Sequence, residues 1–369
     1  MKKITLFFCM VSISFFLSGQ KTILDDPELL KIIKEGVTYI YNCEFPDAKK
    51  IHREILKQRP LHPVSPFYNG IMIYWENYPL TPFNKKVDIF IERMYETIEK
   101  SKLLLEKDEN DTEGVFFDLV AKGMLMMYYA DNDIPAKTIK IAPSAYRHVI
   151  KGFDLKEKFK EFYFTTGLYN YYIEAYPEKH PVYKPLKLFF RGGDKELGLE
   201  QLKICREETV FMTVEASLFL ALIYYNFEND IKTALGFIEK LYLDYPNNPY
   251  FLSKYIEFLL LTEDYENAKT YLKQLIKGNR HNRYVVMKGI IFKGIIEEKN
   301  NNNLEKARKN YKLGIKIAKE FGPRASEFVS FAYYGLSRVA GIEGDEKERK
   351  EFRKLAKAHS KYDHFSDVE

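Results

Sequence analysis

From Lys21 onwards, apolar side chains recur with the period of a helix. In "FNKKVDIFIERMYETIEKSKLLLEK", Val87, Phe90, Ile91, Met94, Tyr95 and Ile98 form one stripe, with Lys and Glu filling the positions between. Strict alternation of apolar and polar residues over a strand's length is nearly absent. Helical stretches come in pairs joined by short polar turns, and the pairing continues to the end of the chain. The pattern predicts an all-α protein of roughly eight helix pairs.

The pairs repeat. Tyr225 and Leu259, Ala234 and Ala268, Leu218 and Leu252, and Leu241 and Leu275 all share one and the same spacing. In "LFLALIYYNFENDIKTALGFIEKLYLDYPNN" a first helix carries Ala221, Leu222 and Tyr225. A second carries Ala234, Ile238 and Leu241, and Pro246 closes it. A small residue such as Ala234 lets two helices approach, while the large ones fill the space towards the next pair. The unit "IIKEGVTYIYNCEFPDAKKIHREILKQRP" places Gly36, Tyr39, Ala48 and Pro60 in matching slots, with His52 where an aromatic residue is usual. A later unit carries an insertion at Asn300 to Asn303, so that Ala307 falls late of the slot that the common spacing from Ala268 would give it. The last unit puts Arg349 in the alanine slot, as expected of a solvated terminal cap.

These residues and this period resemble the tetratricopeptide repeat, a helix–turn–helix unit of about 34 residues. The match covers residues 20–60 and 213–362. The resemblance implies a tetratricopeptide-like α-solenoid, a right-handed superhelix of antiparallel helix pairs whose first helices line a concave face. Residues 67–208 keep helix pairs but lose the register. There, "GLYNYYIEAYP" followed by "RGGDKELGLEQL" resembles the Iml2/tetratricopeptide-39 family and secreted tetratricopeptide-like proteins of Gram-negative bacteria, with Gly167, Pro177 and Gly193 to Leu199 carrying the likeness. It implies a helical-repeat protein and brings no catalytic residues with it. The chain accordingly divides into N-terminal helix pairs at 21–110, a divergent aromatic-rich middle at 111–210 and C-terminal repeats at 211–369, within one continuous solenoid.

The first twenty residues, "MKKITLFFCMVSISFFLSGQ", read as a signal peptide. Lys2 and Lys3 precede a fourteen-residue apolar core, Ile4 to Leu17, and the small residues Ser18 and Gly19 follow. A membrane-crossing helix needs roughly 20 apolar residues. Gln20 stands where a lipoprotein would carry its cysteine. An exported protein of the periplasm or cell envelope of a Gram-negative bacterium is expected, and retention of the segment as an anchor is the alternative. Without Lys2 and Lys3 the 57 basic residues become 55 against 52 acids, too even a balance to point to nucleic acid. Cys43 and Cys205 are expected to be separate small core residues, with a single disulfide as the alternative.

Candidate chemistry is sparse. The two glycines of "RGGDKELGLEQL" lack the strand and Lys-Ser/Thr pair of a phosphate loop, so Asp194 is read as a helix cap with Glu196 in the first turn. The seven histidines show no metal-ligand spacing, and no nucleophile motif occurs. No metal, cofactor or catalytic residue is expected, and the protein is read as non-catalytic. An all-helical glycan-active or glycan-binding envelope protein is the alternative, with Asp108, Glu109, Asp111, Glu113 and Glu174 as the available carboxylates. Trp75 is the only tryptophan that could serve as a sugar platform. "HPVYKPLKLFFRGG" reads either as a membrane-surface segment, through Val182, Leu186, Leu188, Phe189 and Phe190, or as a connector whose apolar residues cap a neighbouring helix pair. The favoured functional surface is the concave groove, binding a protein or peptide partner through Phe219, Ile223, Tyr250, Ser253 and Glu257, with Ile33, Val37 and Ile40 from the first unit. An aromatic stripe, Tyr169, Tyr172 and Tyr176, is expected on a helix that Pro177 ends.

Overall fold

The computed structural model describes residues 22–360; the expected signal segment at 1–20 lies outside them. The chain is all-α. Sixteen α-helices follow one another as eight antiparallel pairs among the described residues. They are α1 (Pro27–Tyr41) with α2 (Phe45–Gln58), α3 (Val64–Glu76) with α4 (Val87–Leu105), α5 (Thr112–Asp131) with α6 (Pro135–Leu155), and α7 (Phe162–Lys179) with α8 (Lys195–Glu208). Then come α9 (Thr213–Asn226) with α10 (Ile231–Asp244), α11 (Pro249–Leu261) with α12 (Tyr265–Gly278), α13 (Arg283–Lys299) with α14 (Leu304–Ala318), and α15 (Ser326–Ile342) with α16 (Glu346–His359). Each helix packs on the next in sequence, and first helices of adjacent pairs also touch, as α11 does α13 and α13 does α15.

Six of the eight intra-pair turns share one backbone design. A residue in the left-handed region sits directly before the second helix's cap: Cys43, Asp133, Asn229, Glu263, Asn302 and Gly344, with φ between 49° and 81°. The amide of the following cap residue then bonds back to the first helix, as from Asp264 to Leu259 O (2.9 Å) and from Asp345 to Ala340 O (2.9 Å). The side chains of Asp230, Asp264, Asn303 and Asp345 each accept an amide from the first turn that follows. Beside these turns the repeat alanines Ala48, Ala234, Ala268 and Ala307 are wholly buried. In the last pair Arg349 lies against Gly341 on the exposed outer helix.

The two remaining pairs have long connectors, residues 77–86 between α3 and α4, and a 3-10 segment, Pro181–Phe189, between α7 and α8. They account for the loss of register in the middle of the sequence. Helix α7 also runs two residues past Pro177, so that proline does not end it: the His180 amide still bonds to Tyr176 O (2.9 Å). The start of α8 is as read from the sequence, with Asp194 capping the Leu197 amide at 2.9 Å. Cys43 and Cys205 are both free thiols, and burial pushes Cys43 up to about 12.

The largest departure from expectation is inside the coil. Of the first-helix residues expected along a channel, Ile33, Val37, Ile40, Ile223, Ser253 and Glu257 are buried. The first pair meets the sixth, the second the seventh and the third the eighth, through side chains that cross between them. Tyr41 at the end of α1 packs on Tyr245 and Phe251, with ring centroids 5.8 and 6.4 Å away. Trp75 and Tyr78 pack on Tyr250 at 5.6 and 5.4 Å, and Tyr78 reaches Tyr284 at 5.8 Å. Arg324, before α15, pairs with Asp131 at the end of α5 and donates to the Tyr74 hydroxyl. Phe211, on the turn into α9, packs on Phe67, Phe116 and Phe117. That turn is held by the buried Glu161, whose carboxylate accepts the amides of Val210, Phe211 and Met212 at 2.6 to 2.9 Å.

Candidate functional site

The seam between early and late pairs gathers buried polar groups from both halves of the chain. Two asparagines one repeat period apart are its simplest members. Asn248 caps α11 by accepting the Tyr250 amide (2.9 Å), and its amide group donates to Tyr41 O (2.7 Å). Asn282 caps α13 by accepting from Tyr284 and Val285 (3.1 and 3.2 Å) and donates to Tyr78 O (2.9 Å). Each side chain thus satisfies its own helix start and a carbonyl in the first quarter of the chain. Asn282→Ala is expected to cost about 2 kcal/mol, a cap plus a half-buried hydrogen bond, where Asn303→Ala, which removes a cap alone, costs about 1 kcal/mol. Denaturant midpoints compare the two; equal losses would show that the cross-seam bond contributes nothing.

At the centre lies Lys288, 1% exposed on the inner face of α13. Its ammonium donates to Tyr78 Oη (3.2 Å) and Ser253 Oγ (3.3 Å). It lies over four rings, those of Phe328 (4.7 Å), Tyr284 (4.8 Å), Tyr78 and Tyr250 (both 5.5 Å). Burial, then the neighbouring Lys254, pull this amine down to about 7, against Glu257; Arg324 pulls the same way and Glu327 the other. Burial would lower Lys254 as well, but Glu257, Glu327 and Tyr250 outweigh it and hold that lysine charged. Lys254 bonds Glu257 at 2.9 Å.

Of the five residues expected in the groove, Tyr250, Ser253 and Glu257 come together at this cluster. Tyr250 packs on Trp75 and Tyr78 of the first half of the chain, while Ser253 and Glu257 are buried beside Lys288 and Lys254. Ile223 is wholly buried among Tyr171, Leu202 and Leu220. Phe219 is half-buried against Phe164. Ile33, Val37 and Ile40 are buried too. Within α7 the stripe divides. Tyr169 donates to Arg191 O (2.8 Å), Tyr172 packs on Phe227 (5.4 Å) and Tyr176 is exposed beside His180 and Tyr183. The wholly buried tyrosine is Tyr171, off that stripe, whose hydroxyl bonds Glu228.

The carboxylates considered for glycan chemistry have structural partners. Asp111 caps α5, Asp108 accepts the Asn110 amide, and Glu174 holds Lys187 and the Gly193 amide. Glu113 is buried against His62 (2.8 Å) and the Leu24 amide (3.0 Å). Trp75 lies in the seam. Sequence reasoning missed Lys288, Arg324 and the two asparagines. A signal was present: α5, α9 and α11 are apolar nearly all round, which calls for cover on both sides, and Lys288 interrupts one such run, "YVVMKGIIF".

No family model and no curated protein matches the chain. Among solved structures, the crystal structure of yeast Tom70 is similar over 91% of this chain and 93% of that one, with 14% identity and a TM-score of 0.24.

Proposed function

We propose that this protein is an exported, non-catalytic scaffold of the periplasm or cell envelope, directed there by residues 1–20, which presents a rigid helical frame to protein partners. The observation that carries the reading is the seam. Asn248, Asn282, Arg324 and Lys288 spend their polar groups on tying early helix pairs to late ones. Partner contacts then fall on the outside of the frame. A groove of about 460 Å³ at its C-terminal edge suits a peptide: Ile315, Val329 and Tyr333 give it apolar lining, and Asp133, Lys319 and His359 polar lining.

The test is site-specific photocrosslinking from position 333 in the native envelope, with the captured partner then titrated in purified form. Tyr333→Ala with Val329→Ser is expected to weaken that partner at least about tenfold, roughly the loss of one well-buried aromatic contact. Unchanged affinity would remove the groove from the proposal. Hydrolysis of a purified glycan by the protein would overturn the non-catalytic reading.

A further inference from the structure

For the 3-10 segment Pro181–Phe189 the sequence leaves two roles open, capping a neighbouring helix pair or meeting a membrane. It does not cap. Val182 is 78% exposed, Leu188 87% and Phe189 82%, while Tyr183 and Phe190 are partly exposed against Tyr176 and Tyr146. Elsewhere large exposed apolar residues, such as Leu61, Phe83 and Ile342, are scattered along the sequence. Here five crowd into one short stretch, on an element that packs chiefly against α7. A concentration of this kind marks a surface with a partner.

The charges around it identify that partner's chemistry. From Lys179 to Arg191 the chain has four basic residues and no acid. Lys184 is exposed. Lys187 pairs with Glu174, and Arg191 stacks on Phe153 (4.2 Å), so two of the cations are held in place at the foot of the segment. Tyr176 and Tyr183, 5.3 Å apart, put two half-exposed amphipathic rings beside the apolar tip. Apolar side chains at the tip, tyrosines beside them and cations around them make the order of groups that a lipid surface presents in reverse. Apolar side chains this exposed fit a flat surface, where a peptide would need a groove. No helix among the described residues is long and apolar enough to cross a membrane.

We propose that residues 182–190 seat the protein on the face of an anionic lipid bilayer, with Val182, Leu188 and Phe189 entering the headgroup–acyl boundary and Lys184 meeting lipid phosphates. This adds a lipid contact to the scaffold reading and does not depend on the C-terminal groove.

All the helices described above lie within residues 22–360, so the chain from Lys21 carries them all and is free of the apolar leader. It should co-sediment with vesicles of phosphatidylcholine and phosphatidylglycerol in equal parts, and much less with phosphatidylcholine alone. Leu188→Ser with Phe189→Ser is expected to lower the partition coefficient by about tenfold or more, since each exposed side chain gives up its transfer into lipid. Lys184→Glu should reduce binding to the anionic vesicles only. Both variants keep the parent helical circular dichroism, because these side chains are exposed in the free protein. Failure of the parent to bind anionic vesicles overturns the proposal. So does binding that Leu188→Ser with Phe189→Ser leaves unchanged. Self-association, or capture of a protein partner, that this double variant abolishes in the absence of lipid would reassign the surface to a protein.

Discussion

At about pH 6 a Lys288→Met variant is expected to be more stable than the parent, and this advantage shrinks as the pH is raised from about 7 towards 10.5. Lys288 titrates at about 7 in the folded protein and at 10.5 when unfolded. Between those values the unfolded chain binds a proton that the folded one does not, so the parent gains stability with rising pH throughout the window. Below it both forms are charged, and the folded protein holds an ammonium buried among rings. Methionine has similar length and no charge, so its stability lacks this slope. The swing is a few kcal/mol. Groups facing the amine come from every side: Lys254 and Glu257 on α11, Arg324 ahead of α15, Glu327 on α15, and the tyrosines at 78, 250 and 284. Taking the difference between parent and variant cancels titrations remote from the amine, such as those of Glu161 and Glu215, which burial raises to about 7. Trp75 is the only tryptophan and lies in the seam, so its emission reports the transition directly. A difference that stays flat with pH would mean that the four rings and the two glutamates keep the amine charged, and the proposed slope would be wrong.

Gly198→Ala is expected to cost about 3 kcal/mol, the upper range for overpacking, because the obstruction is backbone. A Cβ there would stand 2.8 Å from Gly167 O, 2.8 Å from the Tyr171 amide nitrogen and 2.9 Å from Tyr171 Cβ. A Cβ on Gly167 would in turn stand 3.0 Å from Gly198 O. Helices α7 and α8 therefore approach main chain to main chain, and a Cβ on Gly193, at the entrance to α8, would stand 2.5 Å from Asn170 O. Gly236 is the control. It lies in the interior of α10 with nothing near its Cβ position, so Gly236→Ala should stabilise by about 1 kcal/mol through helix propensity. Thermal midpoints moving in opposite directions would confirm the pair; a neutral Gly198→Ala would show that α8 can shift at little cost.

The fold was largely legible in the sequence because its cause is local. Ala234, Ala268 and Ala307 mark helix crossings that recur with the turn, and Asp194, Asp230, Asp264, Asn303 and Asp345 cap the second helices they precede. The repeat period also spaces Asn248 and Asn282, yet their second hydrogen bonds run to Tyr41 O and Tyr78 O. No local pattern distinguishes a capping asparagine from one that also reaches across the coil. The same holds for Tyr250: an aromatic residue on a first helix serves equally well against the next pair or across the bore. Register alone places Ser253 and Glu257 on the inner face and has no means of showing that the face is covered. The glycines of "RGGDKELGLEQL" read as a turn and a cap. Their further role, contact with α7, depends on a crossing distance that the sequence does not state.

A solenoid whose pairs touch only their neighbours can fray from either end and behaves as a one-dimensional chain. Here pair one also grips pair six, two grips seven, and three grips eight. Loss of the first pair strips cover from α11, and loss of the last frees Asp131 and Tyr74 from Arg324. The two termini therefore share one unfolding transition, and amide hydrogens in α1 and α15 should exchange at rates set by the same opening event.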